Sequence, residues 1–122
     1  MNELDLFGKL LIEKVRDESI EQWQLTLSGK MGGERSRFLY KELSKSFDEI
    51  QINLLEEIIS QVVDTTIHNM LWTIEQESEL KLLINTNQGH VDLVEASDGL
   101  TGELYSEDGW ILKFSKKLYI EP

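Results

Sequence analysis

Hydrophobic residues recur at helical spacing through the first quarter of the chain. Between Glu3 and Arg16 four of them lie three or four positions apart: Leu4, Phe7, Leu11 and Val15. A second set has the same spacing in another register: Ile20, Trp23 and Leu27. Ser19 and Gln22 have the spacing of a capping box, in which two side chains satisfy free amides at a helix start. The pattern predicts a helix from Glu3 to about residue 27 that bends or restarts at the join that contains Asp17 and Ser19.

A glycine-rich segment at residues 28–33 (SGKMGG) interrupts this pattern. Three glycines in five positions give the backbone too much freedom for a helix, so a loop is predicted. A short helix over about residues 36–43 follows, with three apolar residues directed inward: Phe38, Leu39 and Leu43. We interpret its four basic neighbours as a hydrated surface patch: Arg35, Arg37, Lys41 and Lys45.

The longest apolar pattern begins at Phe47 or Asp48 and ends at about Glu77. Ser46 and Glu49 have capping-box spacing at its start. Two adjacent apolar stripes run along it. The first contains Phe47, Ile50, Leu54, Ile58 and Val62, and the second contains Leu55, Ile59, Val63, Ile67, Met70 and Ile74. A helix this broadly apolar is predicted to be central and covered by its neighbours on most of its circumference.

After Glu77 the pattern changes to short apolar runs separated by turn residues. The runs cover residues 80–86, 91–96, 100–105, 110–115 and 118–120. Turns are predicted at residues 87–89, at Asp98-Gly99 and at Asp108-Gly109, because glycine tolerates the positive φ of tight hairpins. The pattern predicts a small antiparallel β-meander, with a bulge or a close backbone approach at Gly102.

Together these elements predict a single α+β domain over residues 1–122, with a helical part at 1–78 and a β part at 79–122. The length of 122 residues suits one domain. No run of about 18 apolar residues occurs, so no membrane-spanning segment is expected. Acidic residues near the N-terminus differ from the basic start of a secretory signal, and the chain has no cysteine for disulfides. We therefore expect a cytoplasmic protein.

Acidic residues are concentrated in one part of the chain. Residues 1–45 contain eight basic and eight acidic side chains, whereas residues 46–112 contain fourteen acidic ones and only Lys81. Residues 113–122 add three lysines and Glu121, which completes the net charge of −11. This charge opposes direct binding to nucleic acid. Because the acidic stretch also supplies much of the core, we expect a folded acidic surface that either maintains solubility or attracts a basic partner.

One polar stripe on the long helix is a candidate for chemistry. At 100° per residue, Asp64, His68 and Glu75 lie within about 40° of one another. This arrangement fits a general base or a metal ligand set, and it equally fits a hydrated helix face on which Asp64 pairs with His68. Zinc sites use three or four protein ligands, and the chain has only two histidines, His68 and His90. We therefore expect no metal and no cofactor.

A second candidate set is acidic and aromatic and lies at residues 92–110. Its members are Asp92, Glu95, Asp98, Glu103, Tyr105, Glu107, Asp108 and Trp110. Asp98 and Asp108 each precede a glycine, which fits two turns, and their spacing does not match a calcium loop. Aromatic residues beside charge make good interface anchors, although Trp110 fits a core position equally well. Sequence patterns for phosphate loops and serine nucleophile elbows are absent.

In size, charge segregation and acidic surface over residues 46–112, the chain resembles the small immunity proteins of bacterial polymorphic and contact-dependent toxin systems. Residues 64–72 (DTTIHNMLW) and 97–110 (SDGLTGELYSEDGW) also look like segments of small bacterial proteins of unassigned function. The resemblance implies a cytoplasmic protein that covers part of a cognate toxin, often a basic nuclease. It implies contacts from the acidic residues of the 92–110 set, with Tyr105 and Trp110 as anchors.

The sequence therefore gives one leading hypothesis and two alternatives. The leading hypothesis is a non-enzymatic, protein-binding module whose acidic face binds a basic partner, most specifically a toxin domain. The first alternative is a small metal-dependent or acid–base enzyme that uses Asp64, His68 and Glu75. The second is a homodimeric structural domain that pairs through the apolar excess of the long helix, so monomer and homodimer both stay open.

Overall fold

The computed structural model describes residues 1–117 of the chain. It confirms the α+β class, with helices first and a small antiparallel sheet after them. The helices are α1 (Glu3–Leu10), a π-helical segment (Leu11–Arg16), α2 (Asp17–Leu27), α3 (Glu34–Ser46) and α4 (Glu49–Gln76). Strands β1 (Leu83–Thr86) and β2 (Gly89–Asp92) precede α5 (Leu93–Ala96), a 3₁₀ turn (Thr101–Leu104) and α6 (Trp110–Phe114). The predicted run at 118–120 lies outside the described residues.

The first helical region is continuous from α1 through α2. Asn2 caps its start by accepting a hydrogen bond from the Asp5 amide at 2.8 Å. The predicted change at the join of Asp17 and Ser19 has a counterpart, because the π-helical segment ends at Arg16 and α2 begins at Asp17; the predicted Ser19 capping box is wrong, because Ser19 lies inside α2. A π turn contains more residues than an α turn, so it rotates the apolar stripe of α2 relative to that of α1. Leu11, Ile12 and Ile20 are all buried as a result.

The glycine loop and α3 follow as predicted, with one exception. Gly29 and Gly33 have φ values of 76° and 101°, which other residues rarely adopt. Helix α3 packs against α2 but has no buried residue. Phe38 was predicted to point inward; it is half exposed, with the Arg35 guanidinium 5.3 Å from its ring centre. The reason is that α3 packs on a single neighbour.

Helix α4 is the long helix that the sequence predicts, but its cap and its environment differ. Asp48 and Gln51 form the capping box, with hydrogen bonds of 2.8 and 2.9 Å, in place of Ser46 and Glu49. One side of α4 contributes Ser60, Ile67 and Leu71 to the buried region. The predicted cover around most of the helix is wrong for the first stripe, whose five residues are exposed.

Within residues 1–117, only the first hairpin of the predicted meander forms. Leu83 to Thr86 pairs antiparallel with Gly89 to Asp92, and Gly89 has a φ of 120° in the turn. Residues predicted as strands at 100–105 and 110–115 form helical turns, and 93–96 forms α5. Trp110, Ile111 and Phe114 all pack against the core, whereas a strand would direct Trp110 and Ile111 to opposite faces.

The two predicted Asp-Gly hairpin turns do not form either, because helical turns replace the strands that they would have joined. Asp98-Gly99 and Asp108-Gly109 precede helical turns and join no strands, so the hairpins predicted there are wrong. Gly102 lies inside the 3₁₀ turn and not in a β-bulge.

A single apolar core joins the two parts of the chain. Its buried members are Leu11, Ile12, Ile67, Leu71, Leu93, Leu100, Leu104 and Trp110. The Trp110 ring packs edge-to-face on Phe7, with centroids 5.8 Å apart, and lies directly against Gly8. In the part of the chain that the structure describes, no helix is both long and apolar enough to cross a bilayer.

Candidate functional site

The three polar residues predicted on one face of α4 do share that face, but the structure gives each a different partner. Asp64 forms a two-pronged ion pair with Arg16, at 2.6 Å from Nε to Oδ1 and 3.3 Å from Nη2 to Oδ2. The alternative pairing of Asp64 with His68 is therefore wrong. Within residues 1–117, no three His, Asp or Glu side chains come close enough to hold a metal ion.

Arg16 is the centre of a buried polar network that the sequence analysis missed. Its side chain is only 3% exposed. Besides Asp64, its Nη1 donates to Asp17 Oδ1 at 3.0 Å, to Ser115 Oγ at 2.8 Å and to the Lys117 carbonyl at 3.1 Å. The network fastens α4 and the segment after α6 to the first helical region. Its sequence signal was the position of Arg16, four residues from each of the buried Ile12 and Ile20.

His68 lies beside Tyr105, which comes from the turn after the 3₁₀ segment. Their ring centroids are 5.8 Å apart, and Tyr105 Oη donates to the Asp64 carbonyl at 3.4 Å. Partial burial raises the pKa of Tyr105 above its ordinary value of 10.0, and the negative charge of Asp64 raises this pKa further. The positive charge of Arg16 partly offsets both effects. Tyr105 therefore stays neutral at physiological pH.

Glu75 lies one turn beyond Trp72 and faces the same loop. Its carboxylate accepts a hydrogen bond from the Thr101 amide at 3.4 Å. Together α4 and residues 99–105 enclose an open groove of about 500 Å³. Its lining residues are His68, Asn69, Trp72, Glu75, Gly99, Thr101, Gly102 and Tyr105. The groove thus brings together two residues of the predicted polar stripe, His68 and Glu75, with the predicted anchor Tyr105.

Thr101, one of the lining residues, has a buried hydroxyl with no partner. The residue is only 7% exposed, yet its hydroxyl oxygen has no hydrogen-bond partner. Buried hydroxyls usually have a partner, because leaving one unpaired costs about 1–3 kcal/mol. Neither Thr101 nor Trp72 was singled out from the sequence. Trp72 had a signal, since it lies four residues after His68 on the same helix face.

The acidic residues near the groove divide into those with a local structural role and those free at the surface. Asp92 caps α5 by accepting from the Val94 and Glu95 amides at 3.0 and 3.3 Å, and Glu103 accepts from Ser97 Oγ at 2.9 Å. The remaining predicted acidic contacts are exposed: Glu95, Asp98, Glu107 and Asp108.

Trp110 does not belong to this surface. It is 1% exposed at the centre of the core, so its predicted role as an interface anchor is wrong. A fully buried indole has no area left for a partner. Tyr105, the other predicted anchor, is half exposed at the edge of the groove.

The electrostatic character of the groove is acidic. Its lining contains the Glu75 carboxylate and no lysine or arginine. Arg16, which contacts α4 through Asp64, is already paired with Asp64 and Asp17. Comparison of the chain with protein-family models, curated proteins and solved structures finds no match.

Proposed function

We propose that this protein is a cytoplasmic, non-enzymatic binding module that recognises a basic protein through the groove between α4 and residues 99–105. Its most specific form is an immunity protein that neutralises a basic toxin. The observation that carries the proposal is the composition of the groove, which combines exposed aromatic rings with a carboxylate. The acidic residues around the groove extend this preference for a basic partner to a larger surface.

An arginine or lysine side chain fits the chemistry of this groove. Trp72 and Tyr105 are each half exposed and provide ring surface for the aliphatic stem or for a cation over the ring. Glu75 provides a carboxylate for the cationic head group. Arginine is the better match, because its guanidinium is planar and has five donors to distribute.

The charge outside the groove favours the same class of partner. Exposed carboxylates lie on both sides of the groove residues in the sequence: Glu95 on α5 and Asp98 before residues 99–105, and Glu107 and Asp108 in the turn after them. With a net charge of −11, the protein attracts a basic partner over long range and repels an acidic one. Association is therefore expected to slow as salt is added, because the Debye length falls from about 10 Å at 0.1 M to about 3 Å at 1 M.

The first test is a titration of the isotope-labelled protein with a tri-arginine peptide, followed by backbone amide shifts in NMR spectra. We expect shifts at residues 68–75 and 99–105. Glu75→Gln should weaken binding about fivefold, a loss of about 1 kcal/mol. Glu21→Gln is the matched control, since it removes an equal charge from an exposed site on α2 and should change affinity less than about twofold.

Two results would contradict the proposal. One is that a tri-glutamate peptide shifts the same amides as strongly as tri-arginine. The other is that Glu75→Gln and Glu21→Gln reduce affinity equally, which would indicate only diffuse attraction to net charge.

The second test identifies the natural partner. The tagged protein is recovered from the cells that encode it and eluted in steps of increasing salt. A basic protein released in nearly equimolar amount at high salt, and lost from Glu75→Gln but not from Glu21→Gln, would identify the target. A partner retained equally by both variants would place the binding surface elsewhere.

A further inference from the structure

The first half of α4 exposes a continuous apolar stripe. Ile50, Leu54, Ile58 and Val62 are 80%, 56%, 51% and 57% exposed, and Phe47 extends the stripe at its start. Helix α3 packs on α2 and makes little contact with α4, so it leaves this stripe open. The five side chains expose on the order of 500 Å², near the upper limit for an apolar patch on a monomeric protein.

The distribution of charge on α4 sets this face apart. At 100° per residue, all five acidic residues of the helix fall within one sector of about 100°. They are Glu49, Glu56, Glu57, Asp64 and Glu75. The opposite half of the helix carries no charged residue, and between 51 and 66 it contains Gln51, Ile52, Leu54, Leu55, Ile58, Ile59, Gln61, Val62, Thr65 and Thr66, while Ile50 lies at its border, about 20° from Glu57. The apolar stripe runs along this uncharged half, whereas a solvated helix normally places its charges outward.

The same face contains a hollow with the form of a helix-packing site. It has a volume of about 320 Å³ and is lined by Ile58, Gln61, Val62, Thr65 and Thr66. The first four lie at positions i, i+3, i+4 and i+7. Four residues at this spacing form the hole that receives one side chain of a facing helix. The hollow therefore fits an apolar side chain presented by another helix.

We propose that the occupant is a second copy of this chain, and that two α4 helices cross antiparallel about a twofold axis near Ile58. Because residue 54 of one copy then opposes residue 62 of the other, this axis places Leu54 of each copy over the hollow of its partner. The stripe follows an i, i+4 row, and two such rows pack with the helix axes inclined at about 50°. The interface is self-complementary, as a twofold dimer requires.

Charge and area both favour a second copy. A basic partner gains nothing from a face without carboxylates, whereas two uncharged faces can meet even though each chain carries a net charge of −11. The stripe side chains alone supply on the order of 500 Å² per copy, more than half of the about 800 Å² that one partner usually contributes to a stable interface. The interface is separate from the groove and does not depend on the function proposed above.

Sedimentation equilibrium of the full chain tests the proposal. At about 50 μM we expect twice the monomer mass, and raising NaCl from about 0.1 M to 1 M should not dissociate an uncharged interface. Ile58→Lys should give the monomer mass with an unchanged circular dichroism spectrum. Leu112→Lys is the control, because Leu112 is 55% exposed on α6 and away from the stripe, and it should stay dimeric. A monomeric wild type, or a dimeric Ile58→Lys variant, would overturn the proposal.

Disulfide trapping tests the antiparallel arrangement, since the chain has no cysteine of its own. Under mild oxidation Ile58→Cys should cross-link into a dimer, because the two residues lie beside the axis. The two copies of Val62 lie about 12 Å apart along an antiparallel pair, beyond the reach of a disulfide. Val62→Cys should therefore stay largely uncross-linked. Equal cross-linking at both positions would indicate parallel helices and refute the arrangement.

Discussion

Replacing Arg16 with methionine should destabilise the protein strongly. Methionine fills part of the same volume but removes five hydrogen bonds, made to Asp64, Asp17, Ser115 and the Lys117 carbonyl. Asp17 is buried, and its carboxylate would lose its counter-ion while keeping only the Ser115 hydroxyl and the Lys116 amide. Removing one member of a buried pair costs about 3–5 kcal/mol, out of a total stability of about 5–15 kcal/mol.

Urea unfolding followed by circular dichroism measures this loss. Lys113→Met is the control, because Lys113 pairs with Asp5 at 3.4 Å on the surface, where such a pair is worth about 0–1 kcal/mol. All variants are compared at one protein concentration, since dimerisation would make apparent stability depend on it. If the free energy of unfolding of Arg16→Met falls by less than about 1 kcal/mol, with the same dependence on urea concentration (m-value), the network does not hold the three segments together.

Three further predictions concern the core and Tyr105. A Cβ at Gly8 would overlap the Trp110 ring, so the free energy of unfolding of Gly8→Ala, measured in urea, should be about 1–3 kcal/mol lower than that of wild type. Gly102 has open space around it, so the free energy of unfolding of Gly102→Ala should change little. Trp110→Ala should lower the free energy of unfolding by about 3–5 kcal/mol, and a decrease of less than about 1 kcal/mol would contradict the core position of Trp110. The raised pKa of Tyr105 adds stability that is present below pH 10 and lost as pH rises through the folded-state pKa. Tyr105→Phe should therefore show a smaller loss of melting temperature above pH 10 than wild type.

The helical part of the fold could largely be predicted, because the spacing and glycine patterns that specify it involve residues close together in the sequence. Spacings of three and four residues located α1, α2 and α4, and the glycines at 29, 32 and 33 located the loop. The capping box was misplaced by two residues, since Ser46 and Asp48 are both good caps and only the end of α3 decides between them. Local pattern also could not show that α3 would leave the first stripe of α4 uncovered.

The C-terminal part was harder because its short runs fit two structures equally well. Leu100 and Leu104 lie on one side of either a strand or a helical turn, and both are buried here. The choice depends on distant contacts, such as the packing of Trp110 against Gly8 about one hundred residues earlier. Strand propensity was outweighed by this packing.

The candidate site was predictable only in part. Periodicity placed His68 and Glu75 on one face of α4, and composition singled out Tyr105 as an anchor. Their meeting in one groove depends on how residues 99–105 fold back onto α4, which no local pattern encodes. The partner of Asp64 was missed for a related reason, because Arg16 is 48 residues away along the chain.

The two proposed surfaces divide α4 between them, and this division makes them separable by experiment. Ile58 and Trp72 are about 20 Å apart along the helix, so an antiparallel pair centred on Ile58 would hold its two grooves about 40 Å apart along the α4 axes. At that separation neither copy supplies a residue to the groove of the other. The monomeric Ile58→Lys variant should therefore bind tri-arginine with the affinity of wild type, and Glu75→Gln should leave the dimer intact. A groove that weakened together with the dimer would mean that pairing completes the binding site, and the two proposals would then describe a single surface.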